Sequence, residues 1–195
     1  MLGAPVLAVR FASPTLLLSG AGRSLTIRHV DDTGAPQMIA LPMLDRVHGI
    51  SSPSTSGQTS GGQGWGTVAV WGGRSIVLVA DVYVHASVMD ALPFDDWVLD
   101  VRWVQGGRCV AVALANGQLI VLDVATKAVQ LRAQCEARCI LYAAQLSGGE
   151  ESIDSLVVVA GTVFNEVLLW EAATGRVLHR FLGHKVRTVT YCSSS

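Results

Sequence analysis

Charge is scarce in this sequence. Lys, Arg, Asp and Glu together make up 15% of its 195 residues, and the formal net charge is -1. So little charge gives no long-range field that would draw the chain to phosphate or to anionic lipid. Any contact with nucleic acid must therefore be local or shared with a partner. Apolar runs of about 18 residues, the length of a membrane span, are also missing, so we expect no membrane-spanning segment and a protein of the cytosol or nucleus.

Cysteine is rare as well, with four residues: Cys109, Cys135, Cys139 and Cys192. Four are too few for a disulfide scaffold in a chain of this length, which favours a reducing, intracellular compartment. Cys135 and Cys139 have the spacing of half a metal site, but no second Cys/His pair stands at ligand spacing. We therefore predict buried free thiols and no bound metal.

The motifs of common enzyme sites are absent. The sequence contains no Gly-x-Ser-x-Gly, no Walker loop and no His-Glu-x-x-His. The spacing Gly62-x-Gly64-x-Gly66 lies in the low-complexity segment 51–66 and is followed by a strand pattern, so we predict a flexible loop rather than a phosphate site. We expect a non-catalytic protein without cofactors.

Short apolar runs rich in β-branched residues recur along the chain, bounded by Gly, Pro, Asn, Asp or Ser, and they predict strands rather than helices. The run Leu119–Leu131 aligns without a gap on Val167–His179, at an offset of 48 positions. An upstream copy, Ser75–Val79, lies 44 positions before Leu119–Asp123. Ser24–Gly34 repeats the turn once more. In the clearer copies two strands flank a turn, where Gly34 or Gly175 is expected to supply a positive φ.

A repeat of about 40 to 50 residues with four strands per copy predicts an all-β protein built of WD40-type β-propeller blades. We place about four blades, at residues 1–41, 42–92, 93–133 and 134–182, and the start of a fifth at 183–195. The loop 51–66 is an insertion in the second blade. Because propellers of this class usually close with more blades, we expect an incomplete ring that is completed by the remainder of a longer chain.

The residues that define WD repeats are only partly present. Gly183-His184 stands where WD repeats carry their Gly-His pair, and Trp170-Glu171 occupies the Trp-Asp position with Glu in place of Asp. The earlier copy keeps the acid, Asp123, without the Trp. We therefore expect these five residues to be structural, and the complete Ser/Thr-His-Asp-Trp hydrogen-bond set not to be assembled.

One strand carries a candidate interaction pair. Strict alternation places Trp97 and Trp103 on the core face and Asp100 and Arg102, with Val98, on the other. Arg102 paired with Asp100 could line the central channel or meet RNA phosphate. The alternative is a solvated or locally paired strand face with no binding role, and we favour it.

Several stretches together resemble, in this order, the N-terminal propeller of the WD repeat-containing protein 6 family. They are His48-Gly49-Ile50, Val68-Ala-Val-Trp-Gly-Gly-Arg74, Asp96-Trp-Val-Leu-Asp-Val-Arg-Trp103, Val157-Val-Val-Ala-Gly-Thr-Val-Phe-Asn-Glu-Val-Leu-Leu-Trp170 and Gly183-His184. The resemblance implies a cytoplasmic, non-catalytic partner of an FtsJ-like methyltransferase. Such a partner helps present the tRNA anticodon loop for 2'-O-methylation of the wobble nucleotide, position 34, and tRNA would be met through the complex. The repeat pattern alone fits equally a general protein-interaction propeller in signalling or endosomal recycling without an RNA role.

Overall fold

The computed structural model describes residues 4–53 and 66–183, and in these residues the fold is all-β with no α-helix. Sixteen strands in these described ranges form four antiparallel sheets of four strands each, and within every sheet the strands lie side by side in sequence order. The expected WD40-type blade architecture is confirmed.

The bounds of the strands are as follows. Sheet 1 contains β1 (Val6–Ser13), β2 (Leu16–Ala21), β3 (Ser24–His29) and β4 (Gln37–Ala40). Sheet 2 contains β5 (Gly49–Ser51), β6 (Val68–Gly72), β7 (Ser75–Ala80) and β8 (Ser87–Pro93). Sheet 3 contains β9 (Val98–Val104), β10 (Cys109–Leu114), β11 (Gln118–Asp123) and β12 (Val129–Gln134). Sheet 4 contains β13 (Leu141–Ser147), β14 (Val157–Thr162), β15 (Val167–Glu171) and β16 (Val177–Phe181).

Blade boundaries within the chain stay a prediction. Of the expected fifth-blade start, only Gly183 is among the described residues, and the predicted loop 51–66 is described only at 51–53 and 66.

The repeat between sheets 3 and 4 is visible in the hairpin that joins the two outer strands. Gly175 N–H donates to the Glu171 carbonyl at 2.9 Å, as Lys127 N–H does to the Asp123 carbonyl at 2.8 Å. Gly175 has the expected positive φ, +76°, and a Cβ there would lie 2.0 Å from the Gln134 carbonyl oxygen. The offset of 48 is thereby confirmed at this turn.

Two details of the predicted repeat are wrong. Gly34 does not adopt a positive φ; its N–H instead donates to the Asp32 carboxylate at 2.8 Å, because the loop between β3 and β4 is long enough to be stabilised by a side chain.

Ile76 packs between sheets 2 and 3 and Leu119 between sheets 3 and 4. These two residues are therefore equivalent, so the offset is 43 rather than 44; a shift of one residue would turn every side chain to the opposite face.

Apolar cores fill the three spaces between consecutive sheets. The same backbone hydrogen bond recurs at each joint: a residue at or just before the start of one sheet's innermost strand donates to the β-turn between the two middle strands of the preceding sheet. These bonds are Val47 to Gly22 (2.7 Å), Val98 to Gly73 (2.8 Å) and Leu141 to Ala115 (2.7 Å). In the described residues the ring is not closed, and sheets 1 and 4 each keep one uncovered face.

Candidate functional site

The innermost strands of the sheets converge on a polar groove of about 450 Å³. Arg10 of β1, Ser52 after β5, Asp100 and Arg102 of β9, and Glu150 after β13 contribute its polar side chains. Arg10 Nε donates to Ser52 Oγ at 3.3 Å, which links sheets 1 and 2 across the groove. The predicted candidates Asp100 and Arg102 thus lie together on the groove wall.

Asp100 is largely withdrawn from water. Its Oδ2 accepts the backbone N–H of Leu146 at 2.7 Å, so its side chain links β9 to β13. Burial raises the pKa of Asp100 from its ordinary 3.8 to about 6, against the opposing effects of backbone N–H donors at Leu146 and Val101 and of the Arg102 and Arg10 charges. The Asp100 carboxylate is therefore ionised at neutral pH, although its buried environment disfavours the charge.

Arg102 binds sheet 4 rather than Asp100. Its Nε donates to the Gly148 carbonyl at 2.9 Å, and its terminal nitrogen pairs with Glu150 Oε1 at 2.9 Å. The expected local Asp100–Arg102 ion pair is therefore replaced by three contacts to the neighbouring sheet, one from Asp100 and two from Arg102. Both residues join sheets 3 and 4, and a role for them in binding a partner stays a prediction.

Trp97 departs from the prediction of a core residue. The pairing of β9 with β10 shifts by one residue, with Asp100 opposite Ala113 but Val98 opposite Leu114. This β-bulge turns Val98 into the core, at 2% exposure, and leaves Trp97 49% exposed. Trp103, beyond the bulge, is buried as expected, and its indole N–H donates to the Ser51 carbonyl at 3.0 Å.

The exposed Trp97 ring stacks on His48 of the preceding sheet, with centroids 5.9 Å apart and planes inclined by 12°. Burial, followed by the charge of Arg46, lowers the pKa of His48 below 6.5, so the ring is neutral at pH 7. Gly49 lets the chain pass beneath Trp71, because a Cβ at Gly49 would lie 2.0 Å from that indole ring. Sequence reasoning missed the stack since alternation placed Trp97 in the core; the available signal was His48-Gly49 at the start of a strand.

Asp123 closes the hairpin after β11. Its Oδ1 accepts the backbone N–H groups of Ala125 (3.1 Å) and Thr126 (2.9 Å) and the Thr126 hydroxyl (3.0 Å), while Oδ2 pairs with Arg108 Nε at 2.8 Å. These contacts, the Thr126 backbone N–H first and Arg108 second, lower the pKa of Asp123 to about 2. Every described contact of this carboxylate is structural.

The other WD-type residues are less completely satisfied. Trp170 is fully buried, and among the described residues its indole N–H has no hydrogen-bond partner. Glu171 accepts the Thr174 hydroxyl at 2.6 Å, repeating the Asp123–Thr126 contact with a longer side chain. Gly183 has φ +81°, and His184 lies outside the described residues.

The described cysteines, Cys109, Cys135 and Cys139, are free thiols. Burial raises the pKa of each, which keeps them protonated. In the part of the chain that the structure describes, no three His, Cys, Asp or Glu side chains gather as a metal site would require. Cys192 lies outside that part. Nor do the described segments include a helix with the length and apolarity needed to cross a bilayer.

Comparison with known proteins gives consistent relatives. The chain is 29% identical over 168 residues, 81% of its length, to the mouse (Mus musculus) protein named tRNA (34-2'-O)-methyltransferase regulator WDR6. The rat (Rattus norvegicus) protein of that name is 27% identical over the same share, and the human (Homo sapiens) one is 34% identical over 79 residues, 40% of this chain. This chain is related to the WDR6 family. The resemblance seen in the sequence is thereby confirmed, although no family model matches the chain.

The WDR6 relatives are much longer than this chain. It spans 14% of the length of the mouse and rat proteins, and the segment matched in the human protein is 7% of that protein. What those proteins do as wholes therefore reaches this chain only as a proposal.

Proposed function

We propose that this chain is a non-catalytic WD-repeat scaffold, the partner of an FtsJ-like methyltransferase that 2'-O-methylates the wobble nucleotide, position 34, of tRNA. The observation that carries the proposal is the relationship, over 81% of the chain, to proteins named regulators of a tRNA (34-2'-O)-methyltransferase. The methyl donor and its chemistry would belong to the other subunit. The cytoplasm, where the chain is predicted to reside, is the expected compartment.

The contacts of Asp100 and Asp123, the two described carboxylates whose pKa values shift most, support a scaffold role. Asp100 links two sheets through Leu146, and Asp123 closes a hairpin through Thr126 and Arg108. Perturbed pKa values gather at catalytic sites, but structural networks produce them as well. Here burial raises the pKa of Asp100 and the hairpin contacts of Asp123 lower its pKa, and both carboxylates are held by contacts within the fold.

The test removes the gene that encodes this chain and measures 2'-O-methylation at tRNA position 34 by mass spectrometry of isolated anticodon fragments. We expect methylation to fall, and the intact gene to restore it. A 2'-O-methyl group placed elsewhere in the same tRNA by another enzyme serves as the internal control and should not change. Unchanged methylation at position 34 contradicts the proposal.

Affinity purification separates the proposal from the alternative of a general interaction propeller. Recovery of an FtsJ-like methyltransferase supports the proposed role. Recovery of signalling or endosomal-recycling proteins without a methyltransferase favours the alternative.

A further inference from the structure

The His48–Trp97 stack is formed by two segments that each precede an innermost strand, β5 and β9. Both residues are exposed, so the stack is not a part of the apolar cores. Two features already described set its position. The β-bulge leaves Trp97 exposed, and Gly49, which has no side chain, leaves room for the Trp71 indole ring. The fold therefore holds a flat aromatic pair at the surface, where it contributes little to burial.

His48 also borders the inner groove, so the aromatic pair and the polar groove are continuous. The described residues that line the groove include two guanidinium groups, Arg10 and Arg102, and two carboxylates, Asp100 and Glu150. Their charges cancel, which makes the groove a poor track for a long polyanion. A groove of about 450 Å³ with many hydrogen-bonding groups suits a small, flat, polar group.

Among the described residues that line the groove, Arg10 is the cation available to a ligand. Arg102 is engaged by Glu150 and Gly148, whereas Arg10 has no carboxylate within 4 Å among the described residues and donates only through Nε to Ser52. The remaining N–H groups of an arginine fork suit a single phosphate. His48, neutral at pH 7, adds one donor and one acceptor for the edge of a base.

We propose that the His48–Trp97 stack and the adjoining groove bind one unpaired nucleotide of an RNA chain, with the base on the aromatic pair and a phosphate at Arg10. The inference rests on the proposed role in tRNA methylation and names the contact that this part of the chain makes. Proteins that recognise RNA loops commonly stack splayed bases on aromatic rings. A basic or aromatic protein segment is the competing occupant, but the one available cation among the described groove residues, Arg10, and the flat, neutral ring pair favour a nucleotide.

The experiment measures binding of the full chain to a fluorescent RNA hairpin with a seven-nucleotide loop, and to a blunt RNA duplex of the same stem. We expect the hairpin to bind more tightly than the duplex. Trp97→Ala should weaken hairpin binding by at least about fivefold, as expected for the loss of one stacked base, while Trp97→Phe retains most of the affinity. Phe164→Ala is the matched control, because Phe164 is a 71% exposed aromatic outside the groove, and it should leave binding unchanged.

Salt dependence tests the phosphate contact separately. One neutralised phosphate on a single strand predicts that affinity falls about threefold for a fourfold rise in salt, and Arg10→Gln should remove most of that dependence. Equal binding of hairpin and duplex, or unchanged affinity of Trp97→Ala, overturns the inference. So does an absence of RNA binding by the full chain; if the methyltransferase still co-purifies in that case, the proposed function survives and the nucleotide site alone is lost.

Discussion

Asp100 should make the stability of the protein fall as the pH rises from 4 to 6. Its pKa is raised from 3.8 to about 6 by burial. The folded chain therefore holds the Asp100 proton more tightly than the unfolded chain, and the stabilisation from this group is complete below pH 4 and lost as the pH passes 6. One pKa unit corresponds to about 1.4 kcal/mol, so the whole effect is about 3 kcal/mol.

Asp100→Asn removes the titration and keeps an oxygen that can accept the Leu146 N–H. We expect the free energy of unfolding of the variant, minus that of the unmodified chain, to rise by about 2 kcal/mol between pH 4 and pH 7, which is most of the whole effect. The difference is the informative quantity, because any fixed cost of placing an amide beside the Val101 and Leu146 N–H groups cancels from it. Urea unfolding, followed by tryptophan fluorescence at steps of pH, gives both curves.

Asp90→Asn is the control of opposite sign. The hydrogen bond from Lys127, 3.0 Å away, lowers the pKa of Asp90, so the contribution of this carboxylate to stability is present above its ordinary pKa of 3.8 and lost on acidification. Asp90→Asn should therefore lose stability relative to the unmodified chain as the pH rises through 4, by a small amount because the pair is partly exposed. Parallel curves for Asp100→Asn and the unmodified chain across pH 4 to 7 would refute the assigned environment of Asp100.

Three further outcomes follow from named contacts. Trp170→Ala should lower the free energy of unfolding by about 3–5 kcal/mol, and Trp170→Phe by less than about 1.5 kcal/mol, since Phe fills most of the space and removes a buried N–H without a described partner; equal losses in chemical denaturation would count against this. Asp123→Ala should lower the melting temperature more than Glu171→Ala, because Asp123 is held by backbone, hydroxyl and guanidinium donors; the reverse order in calorimetry would contradict this ranking of the two carboxylates. The isolated chain should bind a dye for apolar surface and self-associate, because the uncovered faces of sheets 1 and 4 carry residues such as Val9, Met38 and Val159; a monodisperse monomer that melts cooperatively and binds no dye would show otherwise.

Much of the architecture was predictable from sequence because its signals are local. The alternation of short apolar runs specifies strands, and the ungapped copy from Leu119 to Val167 places two hairpins in equivalent positions. Asp123 and Thr126 were recognisable as a turn from residue type alone. Relationship to the WDR6 family was visible in the same stretches, the longest of which ends at Trp170.

The candidate site was harder to predict because it depends on departures from regularity. A β-bulge of one residue exchanges the sheet faces on which Trp97 and Val98 lie, and no residue propensity in the sequence predicts it. The partners of Asp100 and Arg102 lie 46 to 48 positions away on the next sheet, so their contacts depend on how two sheets pack rather than on either strand. The error of one position in the upstream repeat, 44 instead of 43, has the same origin: only packing shows which face of β7 meets sheet 3.

The β-bulge in β9 determines which side chain lies at the surface beside the groove. A regular β9 would bury Trp97 and expose Val98, and the surface beside His48 would then be aliphatic. Because the β-bulge lies at the start of β9, Trp103 stays in the core and the indole ring of Trp97 is exposed beside the groove. A chain with almost no net charge cannot attract RNA from a distance, so any recognition by this segment has to come from such short-range contacts.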